Sequence, residues 1–289
     1  MADAELGLMA VGELATRAAD RLGSDSYPVM RGLPQLSAWG QSPAQLRRGL
    51  LSRREEIVRG LSEFRRVVLL ADLSSTLGAS LTPSLVGLLE GRLRGAWVVL
   101  PGPREGMRTF LAGTALGRLL AQGAPILVTE RANLMDGFWS SPAEVALEHL
   151  TARMAHIVKE VSLPYLMAQQ RGTFLMVVGS SQEPEEALAN LALKVQGSAS
   201  SGAEGIVLAP GDKSLAALEA LVQEAQAVLR VSLSYKLAKL EETIAVLVCP
   251  LEAQAVLRTY DPLSGLKQLD DEPSVALPEE AELGLPYVP

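Results

Sequence analysis

The sequence predicts an α/β fold: a Rossmann-like, doubly wound parallel sheet, a long central helix, and a second, smaller α/β domain with a mixed sheet. Three observations carry this. Short apolar runs at 67–72, 96–100 and 125–129 alternate with helix-length stretches, the pattern of strands covered by helices on both faces. Residues 143–161 contain neither Gly nor Pro and set Val145, Leu147, Leu150, Met154, Ile157, Val158 and Val161 at helical spacing. Beyond Pro164 strands and helices resume, and 228–235 with 243–249 read as an antiparallel pair.

In chain order, 6–11 is an apolar entry that passes through Gly12 into a helix ending at Gly23, and 24–43 is an irregular connection rich in Ser, Pro and Gly. Pro43 opens a helix that runs to about Glu63. The strand at 67–72 follows, then a small-residue loop, with Pro83 expected in the first turn of the next helix. Further strands are expected at 96–100, 125–129, 173–178 and 205–209, and further helices at 107–122, 184–193 and 214–227. The domains so outlined are 1–142, the central helix 143–162, a C-terminal domain 163–250, and an acidic, Pro-containing tail 251–289.

Composition narrows the function classes. The chain has 289 residues, 48% hydrophobic and 20% charged, enough for folded cores. Its longest apolar runs fall well short of the roughly 18 residues a membrane-spanning helix needs. The start, Met-Ala-Asp-Ala-Glu, is acidic and lacks the basic and apolar regions of a signal peptide, so a cytoplasmic location is expected. The single cysteine, Cys249, excludes an internal disulfide and a cysteine-cluster metal site. Residues 261–289 hold seven acids against Lys267, so −6 of the net −7 lies in the tail and about −1 on the rest. A near-neutral body with 4% aromatics gives no footprint for nucleic acid; Arg47, Arg48, Arg53, Arg54, Arg59, Arg65 and Arg66 read as a solvated helix face.

The stretch most informative about function is Val67-Val-Leu-Leu-Ala-Asp-Leu-Ser-Ser-Thr-Leu-Gly-Ala-Ser-Leu-Thr82. A loop leading from a parallel strand into a helix is the default ligand position, because helix-start N–H groups there can hold an anion. With Ser42-Pro43, Arg47-Arg48 and Arg54-Glu55-Glu56-Ile57 before it, this stretch resembles the tubulin and FtsZ superfamily, bacterial FtsZ in particular, and its Gly-Gly-Gly-Thr-Gly-Thr-Gly signature loop. Residues 103–108 are similar to that family's Pro-Phe-x-x-Glu-Gly-x-x-Arg loop, Leu163-Pro-Tyr-Leu-Met167 to its Arg-Pro-Gly-Leu-Met, and 174–181 to its strand Tyr-Ala-Met-Met-Gly-Ser-Gly. The resemblance spans nearly all of 6–250 and implies a GTPase-type N-terminal domain able to form filaments.

Departures from the family pattern imply that nucleotide turnover is lost. The first glycine loop reads Gly12-Glu-Leu-Ala-Thr-Arg17, and a carboxylate at Glu13 would repel a phosphate by about 4 kcal/mol at 4 Å and an effective dielectric near 20. In the signature loop Leu73, Ser74, Ser75 and Leu77 stand where glycines would, leaving Thr76 and Gly78. The family's base-contacting Asn-Asp corresponds to Leu147-Glu148, and Arg108 sits one residue early in the loop that also holds Glu105. After Met167 the family's Asn-x-Asp-x-x-Asp loop is replaced by Ala168-Gln-Gln-Arg-Gly172, with no carboxylate to orient a water. The resemblance thus implies a vestigial nucleotide pocket at Gly12, Ser75, Thr76, Gly78, Glu105, Arg108 and Glu148, no catalytic residues, and no cofactor, with GTP or GDP as the alternative.

Other chemistry finds less support. His149 and His156 lie seven apart, unlike the i, i+4 spacing of a helical metal chelate, so no metal is expected. No Gly-x-Ser-x-Gly is present to support a serine nucleophile. The expected function is a non-catalytic, FtsZ-like assembly or scaffold protein that associates with itself head to tail or with an FtsZ-family filament, the alternative being a polymer-forming GTPase with divergent loops. The terminal Leu283-Gly-Leu-Pro-Tyr-Val-Pro289 is a candidate docking peptide for a partner.

Overall fold

The protein is described by a computed structural model that covers residues 4–22, 42–89, 91–102, 107–138, 140–195 and 202–252, with Leu257, Thr259 and Tyr260. The connection 24–41, Glu105 and the tail 261–289 lie outside these residues.

Eight strands form one sheet in the order β1-β2-β3-β4-β5-β8-β6-β7. The strands are β1 (Ala4–Val11), β2 (Phe64–Asp72), β3 (Leu93–Leu100), β4 (Ile126–Glu130), β5 (Thr173–Ser181), β6 (Glu204–Pro210), β7 (Ser232–Ala238) and β8 (Thr243–Leu251). β1 to β5 are parallel neighbours in sequence order, so the two halves of the chain share one sheet through the pairing of 126–128 with 173–175. β8 is antiparallel to both β5 and β6, and β7 pairs with β6 in parallel.

This corrects the expected pairing of 228–235 with 243–249: the antiparallel partners of β8 are β5 and β6, not β7. Val228 belongs to the last turn of α9 (Leu215–Leu229), which ends where Arg230 adopts φ 56°. β6 and β7 are joined through that helix, a connection that favours parallel strands. The apolar run Ile244–Cys249, buried throughout, is long enough to sit between two neighbours.

The alternation along β2 builds a two-sided core. Val67, Leu69 and Ala71 pack with α2 (Pro43–Ser52), α3 (Arg54–Leu61), α4 (Thr76–Leu88) and α5 (Met107–Leu120). Val68 and Leu70 face the opposite way, toward α1 (Glu13–Leu22) and α6 (Ala143–Ile157). A third cluster joins α8 (Pro184–Val195) and α9 to β5, β6, β7 and β8.

Three helix boundaries differ from the sequence reading. α2 starts on a capping box between Ser42 and Gln45, and the expected single helix to 63 breaks at Arg53 into α2 and α3. α4 begins at Thr76, so Pro83 lies inside it, where it cannot donate to the Ala79 carbonyl. The Ser75 side chain, which accepts from the Gly78 N–H, sets that earlier start. The central helix passes at Val158–Ser162 through a π turn and continues as α7 (Leu163–Ala168).

Polar side chains tie the halves together. Arg153 of α6, 2% exposed, reaches the Leu134 and Asp136 carbonyls with Nη1 and Nη2, and forks onto Glu242 with Nε–Oε1 at 2.7 Å and Nη2–Oε2 at 2.6 Å. Lys194 of α8 donates to the Asn133 and Val178 carbonyls and to Asp136 Oδ2, which also accepts from the Ser180 N–H. Burial pulls the Lys194 ammonium below its ordinary value, while the hydrogen bond to Asp136 works the other way.

Candidate functional site

β1 and β2 run side by side up to the pair Val11↔Ala71, and both pass into helices at the same edge of the sheet. Gly12 turns the chain at φ +91° and α1 begins at the next residue. Beyond Asp72, Leu73 drops into the core with 0% exposure, and Ser74 and Ser75 lead into α4. Leu77 is partly buried against the same cluster. The leucines of this loop thus serve packing.

Asp72 is the centre of the junction. Its carboxylate is 1% exposed; Oδ2 accepts from the Leu14 N–H in the first turn of α1 at 3.2 Å, and Oδ1 accepts from the Ser74 N–H at 3.1 Å and from the Ser74 hydroxyl. Its backbone carbonyl accepts from Ser75 Oγ at 2.9 Å, while the same Oγ accepts from the Gly78 N–H at 3.0 Å. Helix-start and loop N–H groups are the donors an incoming anion would use. Here a side chain of the chain itself takes one from each loop.

The glycines fit around this arrangement. A Cβ on Gly12 would lie 2.7 Å from Ser75 Oγ and 2.8 Å from Asp72 Cβ, and one on Gly78 only 1.9 Å from the Asp72 carbonyl oxygen. Close backbone packing accounts for both. Glu13, expected to point its carboxylate toward a phosphate, is exposed and bonds Arg17 one turn along α1 at 3.0 Å. The acid that enters the junction is Asp72, whose signal in the sequence was a lone carboxylate closing an apolar strand.

Of the candidate residues, the junction gathers Gly12, Ser75 and Gly78, with Thr76 opening α4 beside them. Arg108 is exposed near the start of α5. Glu148 lies apart: its exposed side chain pairs with Arg21 at 3.1 Å and lines a cavity of about 470 Å³ to which Gly12, Ser75, Thr76 and Gly78 contribute nothing. His149 and His156 line that cavity too, His149 stacked on Phe138 with ring centroids 4.8 Å apart. Burial lowers His156 from its ordinary value. Among the described residues no group of three or more His, Cys, Asp or Glu could hold a metal ion. The turn from α7 to β5 is Gln169-Gln-Arg-Gly172 and contains no carboxylate.

Burial, the largest influence on Asp72, raises its carboxyl above the ordinary 3.8, against hydrogen bonds from Ser74 and Leu14 and the charge of Arg131. The folded state therefore holds this proton more tightly than the unfolded one. Its stabilising effect is full below pH 3.8 and is lost as pH rises through the higher folded value. Compared with Asp72→Asn, the native chain is expected to lose stability as pH is raised from about 4, in urea titrations at a series of pH values. Identical pH slopes for the two proteins would refute this.

No family model matches the sequence, and no curated protein does. Solved structures do match. An FtsZ dimer, empty, from M. jannaschii superposes with TM-score 0.61 at 16% identity over 86% of this chain and 88% of that one. The chain has the FtsZ/tubulin fold. TubZ of Clostridium botulinum phage c-st, in its tail-truncated form, matches at 0.57 with 12% identity over 93% of this chain and 100% of that one. CetZ2 of Haloferax volcanii, in a GTPγS-bound protofilament, matches at 0.54 with 12% identity over 91% and 99%. At the edge of this FtsZ-like fold where β1 and β2 pass into helices lies the Asp72 junction. No helix among the described residues is long and apolar enough to cross a membrane.

Proposed function

We propose that the protein is a non-catalytic, FtsZ-like assembly or scaffold component, which associates head to tail with itself or joins the filament of an FtsZ-family protein. The observation that carries this reading is the Asp72 junction. A carboxylate buried beneath the starts of α1 and α4 takes the N–H groups of Leu14 and Ser74, and Ser75 takes that of Gly78. Whether ionised or neutral, Asp72 removes donors that a phosphate would need; ionised, it also repels one. Of the vestigial pocket read from the sequence, Gly12, Ser75, Thr76 and Gly78 are then a retained scaffold, and GTP or GDP does not occupy it. The α7–β5 turn supports the same reading, because it holds no carboxylate to orient an attacking water. Assembly is supported by the kinship of fold with proteins solved as a dimer and as a protofilament.

The second reading, a GTP-binding polymer-forming GTPase with divergent loops, is favoured by the GTPγS-bound state of the CetZ2 protofilament. Two measurements separate them. Electron microscopy of the purified protein, alone and with an FtsZ-type filament, is expected to show assembly that is the same with and without GTP, and titration calorimetry no micromolar binding of GTP or GDP. GTP-dependent filaments, or hydrolysis abolished by Thr76→Ala or Glu148→Ala, would establish the second reading instead.

A further inference from the structure

One stretch of the described surface is predominantly cationic. Between residues 43 and 66 seven arginines stand against Glu55, Glu56 and Glu63, and all seven arginines are exposed. The elbow between α2 and α3 forms a groove of about 490 Å³ lined by residues 51–56 and Arg59. Arg53 is engaged by Glu56 at 2.8 Å; among the described residues no ion pair engages Arg54 or Arg59. Two apolar side chains on these helices also face solvent, Leu51 at 51% exposure and Val58 at 43%. A groove with three arginines against two glutamates, Leu51 in its lining and Val58 exposed on α3, suits an acidic peptide with apolar anchors.

The chain carries such a peptide. Residues 279–285 read Glu-Glu-Ala-Glu-Leu-Gly-Leu within the segment that holds −6 of the net charge. Its point of departure is on the correct face. Tyr260 is buried in the same apolar cluster as Leu46 and Leu50 of α2 and Ile57 of α3, and its hydroxyl donates to Glu130 at 3.0 Å. Leu257 lies beside Gly117 of α5. Across that face α5 packs on α4, and α4 on α2, so two interhelical spacings, about 20 Å, separate the departure point from the groove. The 19 residues from Tyr260 to Glu279 can span at most about 65 Å, well over that separation.

We propose that the acidic segment 279–285 docks in cis on the α2–α3 groove, Glu279, Glu280 and Glu282 meeting Arg54 and Arg59, and Leu283 and Leu285 covering Leu51 and Val58. A short tether holds the two at an effective concentration in the millimolar range, so weak individual ion pairs suffice.

The test is energy transfer in the full chain between dyes on Ala44→Cys and Val288→Cys; the native Cys249 is 1% exposed and stays unlabelled. Transfer is expected to be independent of protein concentration. It should fall at least about twofold between 0.1 M and 1 M salt, as the Debye length shrinks from about 10 Å to about 3 Å. Arg54→Glu with Arg59→Glu should produce the same fall, with an unchanged far-ultraviolet spectrum because both positions are exposed. Adding Glu279→Lys, Glu280→Lys and Glu282→Lys should restore transfer. Transfer that ignores the arginine reversals would overturn the proposal, and so would transfer that rises with protein concentration, which would place the tail on a second copy. None of these readouts involves nucleotide or filaments, so the result stands apart from the function proposed above.

Discussion

Gly78→Ala is expected to destabilise the protein by on the order of 3 kcal/mol or more, with no nucleotide present. The new methyl carbon would sit 1.9 Å from the Asp72 carbonyl oxygen, 2.7 Å from its carbonyl carbon and 2.9 Å from Ser75 Oγ. Backbone on both sides cannot rotate away, so either α4 or the β2 end must shift, and the Ser75 cap on Gly78 and the Ser74 contact to Asp72 break with it. Gly87 supplies the control within the same helix. A Cβ there meets nothing within 4 Å, so Gly87→Ala should stabilise by roughly 0.5–1 kcal/mol through helix propensity. Urea titration decides: the Gly78 variant should lose roughly 1 M or more of midpoint while the Gly87 variant gains. A Gly78→Ala protein as stable as the parent would mean that Asp72 and α4 do not pack as described, and the account of the junction would fall.

Arg153→Met is expected to cost about 3–5 kcal/mol, the range for stripping one partner from a buried ion pair. Its side chain is 1% exposed and Glu242's only 18%. Removing the guanidinium strands that carboxylate together with the carbonyls of Leu134 and Asp136. The cation also covers the Phe138 ring, 4.7 Å from its centroid, a contact that adds to the loss. Because much of the cost is the uncompensated charge, Arg153→Met with Glu242→Leu should recover a large part of it, and a double-mutant cycle should report coupling of about 1–3 kcal/mol. Additive effects of the two changes would show that the pair does not bind the halves together. The readout is distinct from that of Gly78, whose damage is confined to the β1–β2 edge.

The strands of this protein were legible because burial on both faces leaves continuous apolar runs: β2, β3 and β8 contain the expected residues, β4 lies one residue later than the expected 125–129, and the two-sided core follows from the alternation along β2. The π turn at Val158–Ser162 was not legible, since an extra residue in a helix leaves an apolar pattern nearly intact. Pro83 misled because proline at a helix start and proline tolerated in an interior look alike until the true cap is known, and Ser75 is that cap. Arg153 sits among Ala, Met and Thr with nothing in its neighbours to mark it as buried; its partner Glu242 is 89 positions away.

The loop between β2 and α4 divides the two sources of information most clearly. That this loop joins a parallel strand to a helix, that glycines are few in it, and that the turn after α7 holds no carboxylate can all be read from the residues alone. Those are properties of composition and local spacing, fixed before any long-range contact forms. Where the loop's polar groups go depends on the packed fold. The register that sets Val11 beside Ala71 brings the first turn of α1 over Asp72, and Leu14 donates to that carboxylate across 58 positions of chain. A buried carboxylate must find donors and a helix start must find an acceptor, so each satisfies the other once the strands align. Neither requirement names its partner in the sequence, which is why the acid filling the junction could be read only from the fold.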